Sequence, residues 1–333
     1  MKELIKQLTQ IPGPSGYESA IRETIREIIK PYVRETRVDA MGNLIAQVGT
    51  KAPGGMRVMV AAHMDEIGLI VSHIEKKGLV RFSNLGGVLP RYLAGGRVVF
   101  LNGTRGVINS DRHDEVSKIQ PISQFFIDVG ASSEKDCPVK IGDLAVFDRE
   151  FLDLGKRVSS KALDDRCGCA LMIETIQRVK QSPHELLFVF CTQEEVGSRG
   201  ATTAAYQLDA DLGIALDVTP VGDILGVKMQ VNLGEGPAIK VRDVGHIADP
   251  AVVNWMVRTA RELKVPHQLE VLDVGSTDAR AMQISRGGMP SGALSIPCRY
   301  VHSPSEMIDM DDYAHALTLL TGLLSREIKL EKK

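Results

Sequence analysis

The sequence predicts an α/β fold: a mixed-sheet domain that carries a small inserted all-β domain. Three observations predict it. Apolar runs alternate with segments of helical periodicity at both ends of the chain, the middle holds short β-rich runs parted by glycine pairs, and acids or imidazoles stand where apolar runs stop. With 333 residues, 44% hydrophobic and 25% charged, the chain has room for roughly two domains at the usual ~150 residues each. Lys plus Arg (40) nearly balances Asp plus Glu (42), which removes the basic excess that draws nucleic acid or anionic membranes. The start, MKELIKQLTQIPGPSGYE, mixes charges with single apolar residues and lacks a signal-peptide core. No run approaches the ~20 apolar residues of a membrane span, so the expected address is the cytoplasm. Five cysteines, an odd number with no C-x-x-C spacing, predict reduced and mostly buried thiols rather than disulfides or a thiolate zinc site.

In chain order, YESAIRETIREIIKPYV spaces Ile21, Ile25, Ile28 and Ile29 as a helix that ends at Pro31. ETRVDAMGNLIAQVG reads as two strands around Gly42-Asn43, and RVMVAAH as a strand buried on both faces. Residues 1–65 thus form a first α/β part. From 66 to 151 the runs GLIVSHI, GLVRFS, GRVVFL, GTRGVIN, FFIDVG and GDLAVF predict the inserted β domain. Residues 152–333 return to α/β texture. CGCALMIETIQRV is a predicted helix, ELLFVFCT and DLGIALDV strands, PAVVNWMVRTARELK a helix, SGALSIP a strand and DDYAHALTLLTGLLSREIK a closing helix. There is no internal repeat or low-complexity tract.

Candidate functional side chains gather at the ends of these runs. MRVMVAAHMDEIG runs into His63, Asp65 and Glu66, and a spacing of two puts His63 and Asp65 on one side of an extended chain. ELLFVFCTQEEVG runs into Glu194 and Glu195, DLGIALDVTP into Asp217, and RYVHSPSE places His302 just past SGALSIP. Ligands of open α/β sheets bind at the carboxyl ends of strands. Asp164 and Asp165 in SSKALDDRCG precede a helix, where N-capping and the helix dipole are the plain explanation. A solvated loop would explain any one of these clusters; their recurrence at strand ends points to one shared site.

Two histidines with several carboxylates and no thiolates make an N/O donor set suited to Zn²⁺, Co²⁺, Mn²⁺ or Fe²⁺. Three ligating carboxylates leave two divalent ions with residual positive charge, and metal binding lowers the pKa of water from about 15.7 toward about 7. That is the chemistry of a two-metal hydrolase. Glu194 and Glu195 would face opposite sides of a regular strand, so both serve one site only if the chain bends, as Val196-Gly197 allows. One of them then binds metal while the other acts as general base, worth roughly 10²–10⁴-fold.

These residues resemble the M42 metallo-aminopeptidases, a family that includes the tetrahedral TET aminopeptidases and proteins labelled glutamyl aminopeptidase or cellulase M. The matching stretches are PGPSGYE, D-x-x-GNL at 39–44, AHMDEIG at 62–68, KALDDRCG at 161–168, QEEVGSRGA at 193–201, LDVT at 216–219, STDA at 276–279 and RYVHSP at 299–304. They span nearly the whole chain in the family's order. The resemblance implies a dinuclear-metal peptidase domain in which His63 and Asp217 bind one ion, Glu195 and His302 the other, and Asp164 bridges them. It implies two Zn²⁺ or Co²⁺ ions per subunit, a metal-bridged hydroxide as nucleophile, Glu194 as general base, and Asp65 hydrogen-bonded behind His63. Choosing Asp164 over Asp165 follows related two-zinc peptidases, where the first acid of the pair bridges and a cis peptide follows. The insert is implied to be a PDZ-like dimerisation domain, the dimers to build a hollow dodecamer, and the substrates to be short peptides. One departure stands out: the family's two glycines before Thr-Asp are Gly275-Ser276 here, which bears on substrate fit around Asp278.

Two other readings compete with the aminopeptidase. A glycoside hydrolase would draw on the cellulase label and the Glu194–Glu195 pair. However, the chain is only 5% aromatic with one tryptophan, and sequence neighbours cannot easily flank a bond from opposite sides. An inactive metal-binding scaffold would be signalled by a missing ligand or base, and every expected position is filled.

Overall fold

A computed structural model describes residues 1–112 and 118–331. Among these, eleven strands form one mixed sheet. Across it run Glu35–Val38, Leu44–Val48, Glu185–Cys191, Arg57–His63, Leu212–Pro220, Ser291–Arg299, Glu306–Asp309, Arg157–Ser160 and Leu152–Leu154. A branch, Ala238–Arg242, pairs with Ser291–Arg299 and with Gln268–Val271. The four strands from Glu185–Cys191 to Ser291–Arg299 are mutually parallel, so their carboxyl ends share one edge. Cys191 pairs with His63 there, and Asp217 with Ser295.

The apolar runs are continuous because both faces of these strands are covered. Val58, Val60 and Ala62 enter one core, shared with the helices Lys2–Thr9, Ser19–Ile29, Leu163–Arg178, Pro250–Glu262 and Met310–Leu324. Met59 and Ala61 enter a second core beneath Arg199–Leu208 and Ala279–Gln283. The same alternation holds in the neighbouring strand, with Leu186, Phe188 and Phe190 on the first face and Leu187, Val189 and Cys191 on the second. Fully buried Phe188 belongs to the class of core side chains whose truncation to alanine costs ~3–5 kcal/mol.

Between Gly68 and Phe147 six strands close a barrel in the order Gly68–Ile74, Val80–Leu85, Phe125–Asp128, Arg105–Ser110, Arg97–Phe100, Leu144–Phe147. Closure leaves no unpaired strand edge. Alternate residues such as Leu69, Val71, Phe82, Phe100, Ile108 and Ile127 fill a separate apolar core.

Most of the elements expected from sequence form, with shifts at their ends. The closing helix stops at Leu324, and Ile328 and Leu330 pack on the core as non-helical chain. The helix through Cys167 begins at Leu163 but is not regular there: Asp164 and Asp165 have non-helical backbones joined by a cis peptide. Strand Arg57–His63 ends on His63, and Asp65, two residues on, lies beyond the strand with Oδ1 3.5 Å from His63 Nδ1. Cys167, Cys169, Cys191 and Cys298 are buried free thiols, and Cys137 is half-buried and free. No helix among the described residues is long and apolar enough to cross a membrane.

Candidate active site

The aligned strand ends and the irregular start of Leu163–Arg178 bring the expected side chains together. Buried His63 turns Nε2 toward Asp164, 3.0 Å from Oδ1. Its Nδ1 lies 3.1 Å from the Asp65 backbone oxygen and 3.5 Å from Asp65 Oδ1. His302 Nε2 lies 3.5 Å from Asp164 Oδ2 and 3.3 Å from Glu195 Oε2, so Asp164 faces both imidazoles. Donor atoms of His63, Asp164 and Glu195 fall within 4.8 Å of one another, as do those of His63, Asp165 and Asp217.

Asp165 turns one oxygen to its own helix. Its Oδ1 accepts from Gly168 N–H at 3.1 Å, capping the helix that follows, and its Oδ2 has no partner. A side chain at Gly168 would overlap this carboxylate, so glycine there makes room for it.

Glu194 and Glu195 reach the same site because the chain turns directly after the strand. Gln193 adopts φ +56°, and the N–H groups of Gly197 and Ser198 donate to the Glu194 carbonyl. Asp65 holds this turn: Oδ1 accepts from Glu194 N–H at 2.9 Å and Oδ2 from Glu195 N–H at 3.2 Å. The Glu194 carboxyl accepts from Ser198 Oγ at 3.0 Å and belongs to neither compact ligand group.

Burial dominates the electrostatics. It pushes Glu194 up to about 8 against the opposing pull of His63, with Asp278, Glu195 and Asp65 adding repulsion. Burial likewise raises Asp217 well above the carboxyl range, reinforced by Asp164 and Asp165, and raises Glu195 and Asp165 too. The Asp278 carboxyl, buried beside Cys191 and Ser198, rises to about 6 for the same reason. For the histidines burial opposes protonation, yet Glu195 and Asp164 carry His302 up to about 12, and Asp164 and Asp65 hold His63 well above its usual value. Asp164 is lowered: hydrogen bonds from His302 and His63 overcome its burial. A buried cluster with more acids than cations, and with Glu195 Oε1 and Asp165 Oδ2 unpartnered, fits divalent cations bound through nitrogen and oxygen.

Groups that the sequence reading did not assign support these. Ser15 Oγ donates to Asp65 Oδ2 at 2.6 Å, and Glu18 Oε1 accepts from Gln193 N–H at 3.1 Å, so the PGPSGYE stretch braces two catalytic turns. Buried Glu66 pairs with Lys161 at 2.7 Å and accepts from Gly13 N–H at 3.1 Å. Glu306 accepts from the N–H groups of both Asp164 and His302. Ser276, the departure noted above, donates to Asp243 Oδ1 at 3.1 Å. From the barrel, Gly86 and Gly87 pack against Glu195 and His302 so closely that a Cβ at Gly87 would fall 2.3 Å from His302 Nδ1.

Fold and site together define a mixed α/β hydrolase with a buried histidine–carboxylate cluster at the strand ends. The sequence profile of the M42 glutamyl aminopeptidases matches residues 42–319, and the chain belongs to this family of metal-dependent aminopeptidases. It is similar to an aminopeptidase structure from the archaeon Desulfurococcus kamchatkensis, with a TM-score of 0.94, 39% identity, and coverage of 97% of this chain and 94% of that one. The lysyl aminopeptidase of Pyrococcus furiosus is 36% identical over 97% of this chain and 96% of its own. The Pyrococcus horikoshii TET1 peptidase, whose structure is described as assembling into a tetrahedron or a large octahedral shell, overlaps with a TM-score of 0.87 at 34% identity, covering 97% and 98% of the two chains.

Proposed function

We propose that this aminopeptidase holds two divalent ions, Zn²⁺ or Co²⁺, with His63 and Asp217 on one, Glu195 and His302 on the other, and Asp164 between them. The orientation of Asp164 toward both imidazoles supports this choice over Asp165, which caps its own helix. Bound there, the ions would polarise the scissile carbonyl and ease deprotonation of the attacking water. Glu194 takes the proton released as water adds to the carbonyl, and returns it to the departing amine as the C–N bond breaks. The observation that carries this division of labour is the position of Glu194: half-buried beside the cluster, with its carboxyl held by Ser198 Oγ rather than by either histidine. Asp65 orients His63 and fixes the turn that aims Glu194.

The proposed substrates are short peptides with a free amino end. Nucleic acid and membrane are not among the proposed partners. Residues 66–151 are proposed as an inserted PDZ-like dimerisation domain between the catalytic parts 1–65 and 152–333, a reading that the barrel's separate core supports. Dimers assembling into a dodecamer follow by analogy with the TET1 peptidase. Four buried free thiols suit the reducing cytoplasm.

The test is hydrolysis of aminoacyl-p-nitroanilides and short peptides by protein stripped of metal and reloaded with Co²⁺ or Zn²⁺. Release is expected from free amino ends only, not from N-acetylated substrates. Glu194→Gln is expected to lose turnover by at least 10²-fold, on the order of a general base's worth, while keeping two ions per subunit. Loss of metal in that variant would refute the assignment of Glu194 as base rather than ligand.

A further inference from the structure

We infer that Glu306 is a positioning residue that sets the spacing of the two-ion site by holding the backbones of two of its ligands at once, an inference that rests on the ligand assignment proposed above. The Glu306 side chain is buried. Oε2 accepts from Asp164 N–H at 3.0 Å and Oε1 from His302 N–H at 2.9 Å. Topology explains the reach. Glu306 opens the strand Glu306–Asp309, which lies between Arg157–Ser160 and Ser291–Arg299, and Glu306 pairs with Ser160. The chain leaving Ser160 arrives at Asp164, and the chain leaving Arg299 arrives at His302. A carboxylate on the middle strand is therefore placed to tie the two outgoing segments together.

Both segments need tying. His302 has φ +62° and Tyr300 φ +60°, left-handed backbone that a side-chain-bearing residue adopts only when its surroundings enforce it. Ala162, two residues before Asp164, is left-handed as well, at φ +56°. A carboxyl group whose two oxygens each accept one of these backbone N–H groups is a directional constraint of the required kind. A neutral amide cannot replace it, because Gln offers one acceptor oxygen and turns an NH₂ donor toward the other N–H.

The experiment is Co²⁺ titration of metal-stripped wild type, Glu306→Gln and Asp312→Asn, followed by visible absorption and calorimetry, with kcat and KM measured on the reloaded proteins. Asp312 is the control: its buried carboxylate also accepts two backbone N–H groups, from Gly234 and Gly236 at 2.7 Å each, but they carry no proposed ligand. Glu306→Gln is expected to weaken one Co²⁺-binding step by about 10–100-fold, to alter the Co²⁺ spectrum and to lower kcat more than it changes KM, whereas Asp312→Asn should titrate like wild type. A Glu306→Gln titration and spectrum matching those of Asp312→Asn would overturn the role of Glu306 while leaving the two-ion reading intact. Uptake of fewer than two ions by wild type would remove that reading and this inference together. If Glu306→Gln fails to fold, Glu306→Asp, which keeps the charge but shortens the reach, takes its place; weakened binding supports the role and wild-type binding overturns it.

Discussion

At the scale of single residues, the cluster makes stability depend on pH and on metal in a direction that can be worked out. Burial raises Glu194 to about 8 and Asp278 to about 6, so between the usual carboxyl range and these values the folded chain binds more protons than the unfolded one. Unfolding free energy then falls as pH rises. His302, raised to about 12, acts in the same direction: its contribution is complete below about 6.5 and drains above it. Asp164 and Asp65, both lowered, act oppositely only at acid pH, below the ordinary carboxyl range. Metal-stripped protein in EDTA should therefore melt at lower temperature at pH 8 than at pH 5.5. Co²⁺, which needs deprotonated ligands, should raise the melting temperature more at pH 8. Thermal melts at both pH values check this, and an equal Co²⁺ increment at the two would count against it. Asp164, at the start of a helix, was pointed to by the resemblance, whereas the shared edge of His63, Glu194, Glu195, Asp217 and His302 was legible because each closes or follows an apolar run of the sheet. Ser15, Glu18 and Glu306 were not, although they lie within quoted stretches, because a carboxylate or hydroxyl that serves distant backbone N–H groups leaves no spacing in the sequence to read.

At the scale of elements, the barrel does more than hang from the peptidase sheet. Its Gly86-Gly87 loop lies against two proposed ligands: a Cβ at Gly87 would overlap the His302 ring, and one at Gly86 would come within 2.9 Å of Glu195 Cβ. Gly87→Ala should therefore push His302 aside and lower kcat/KM by about 10²-fold, the scale of a roughly 1 Å misplacement, with the β signature in circular dichroism preserved. Gly287→Ala, where an added Cβ meets nothing within 4 Å, is the matched control. Equal activity of the two variants would show that the barrel loop does not constrain the site. The six barrel strands were legible as short β-rich runs between glycine pairs, and the central sheet strands as apolar runs. The flanking strands Leu152–Leu154, Arg157–Ser160, Ala238–Arg242 and Gln268–Val271 were not, because three to five residues of mixed polarity form strands only where a longer neighbour offers an edge. Helix Arg199–Leu208 also went unread: its buried face is Gly200, Ala201, Ala204, Ala205 and Leu208, where small residues and a single leucine mark too little of a period.

For the whole molecule, the question is what covers its exposed apolar side chains. Val244, Ile247, Val274 and Ile284 are exposed by 61–75%. They belong to one neighbourhood, since Val244 N–H donates to the Gly275 carbonyl and Gln283 Nε2 to the Ile247 carbonyl. Exposed apolar side chains gathered in this way suit contact with another protein, and in the assembly proposed above that partner is a second copy of the chain. Nothing in composition or periodicity foretold assembly, because contacts between copies follow from surface shape and symmetry; only the resemblance pointed to it. Native mass spectrometry of the 36.3 kDa chain is expected to show a dodecamer, and Ile284→Asp to shift it to smaller species with the fold intact. A closed shell would also act as a size filter, so short peptides should be trimmed at rates unaffected by adding a folded protein with a free amino end, and that folded protein should survive. Wild type found as a monomer would end the assembly reading without touching the chemistry at Glu194. A dodecamer that Ile284→Asp leaves whole would move the contact to another face.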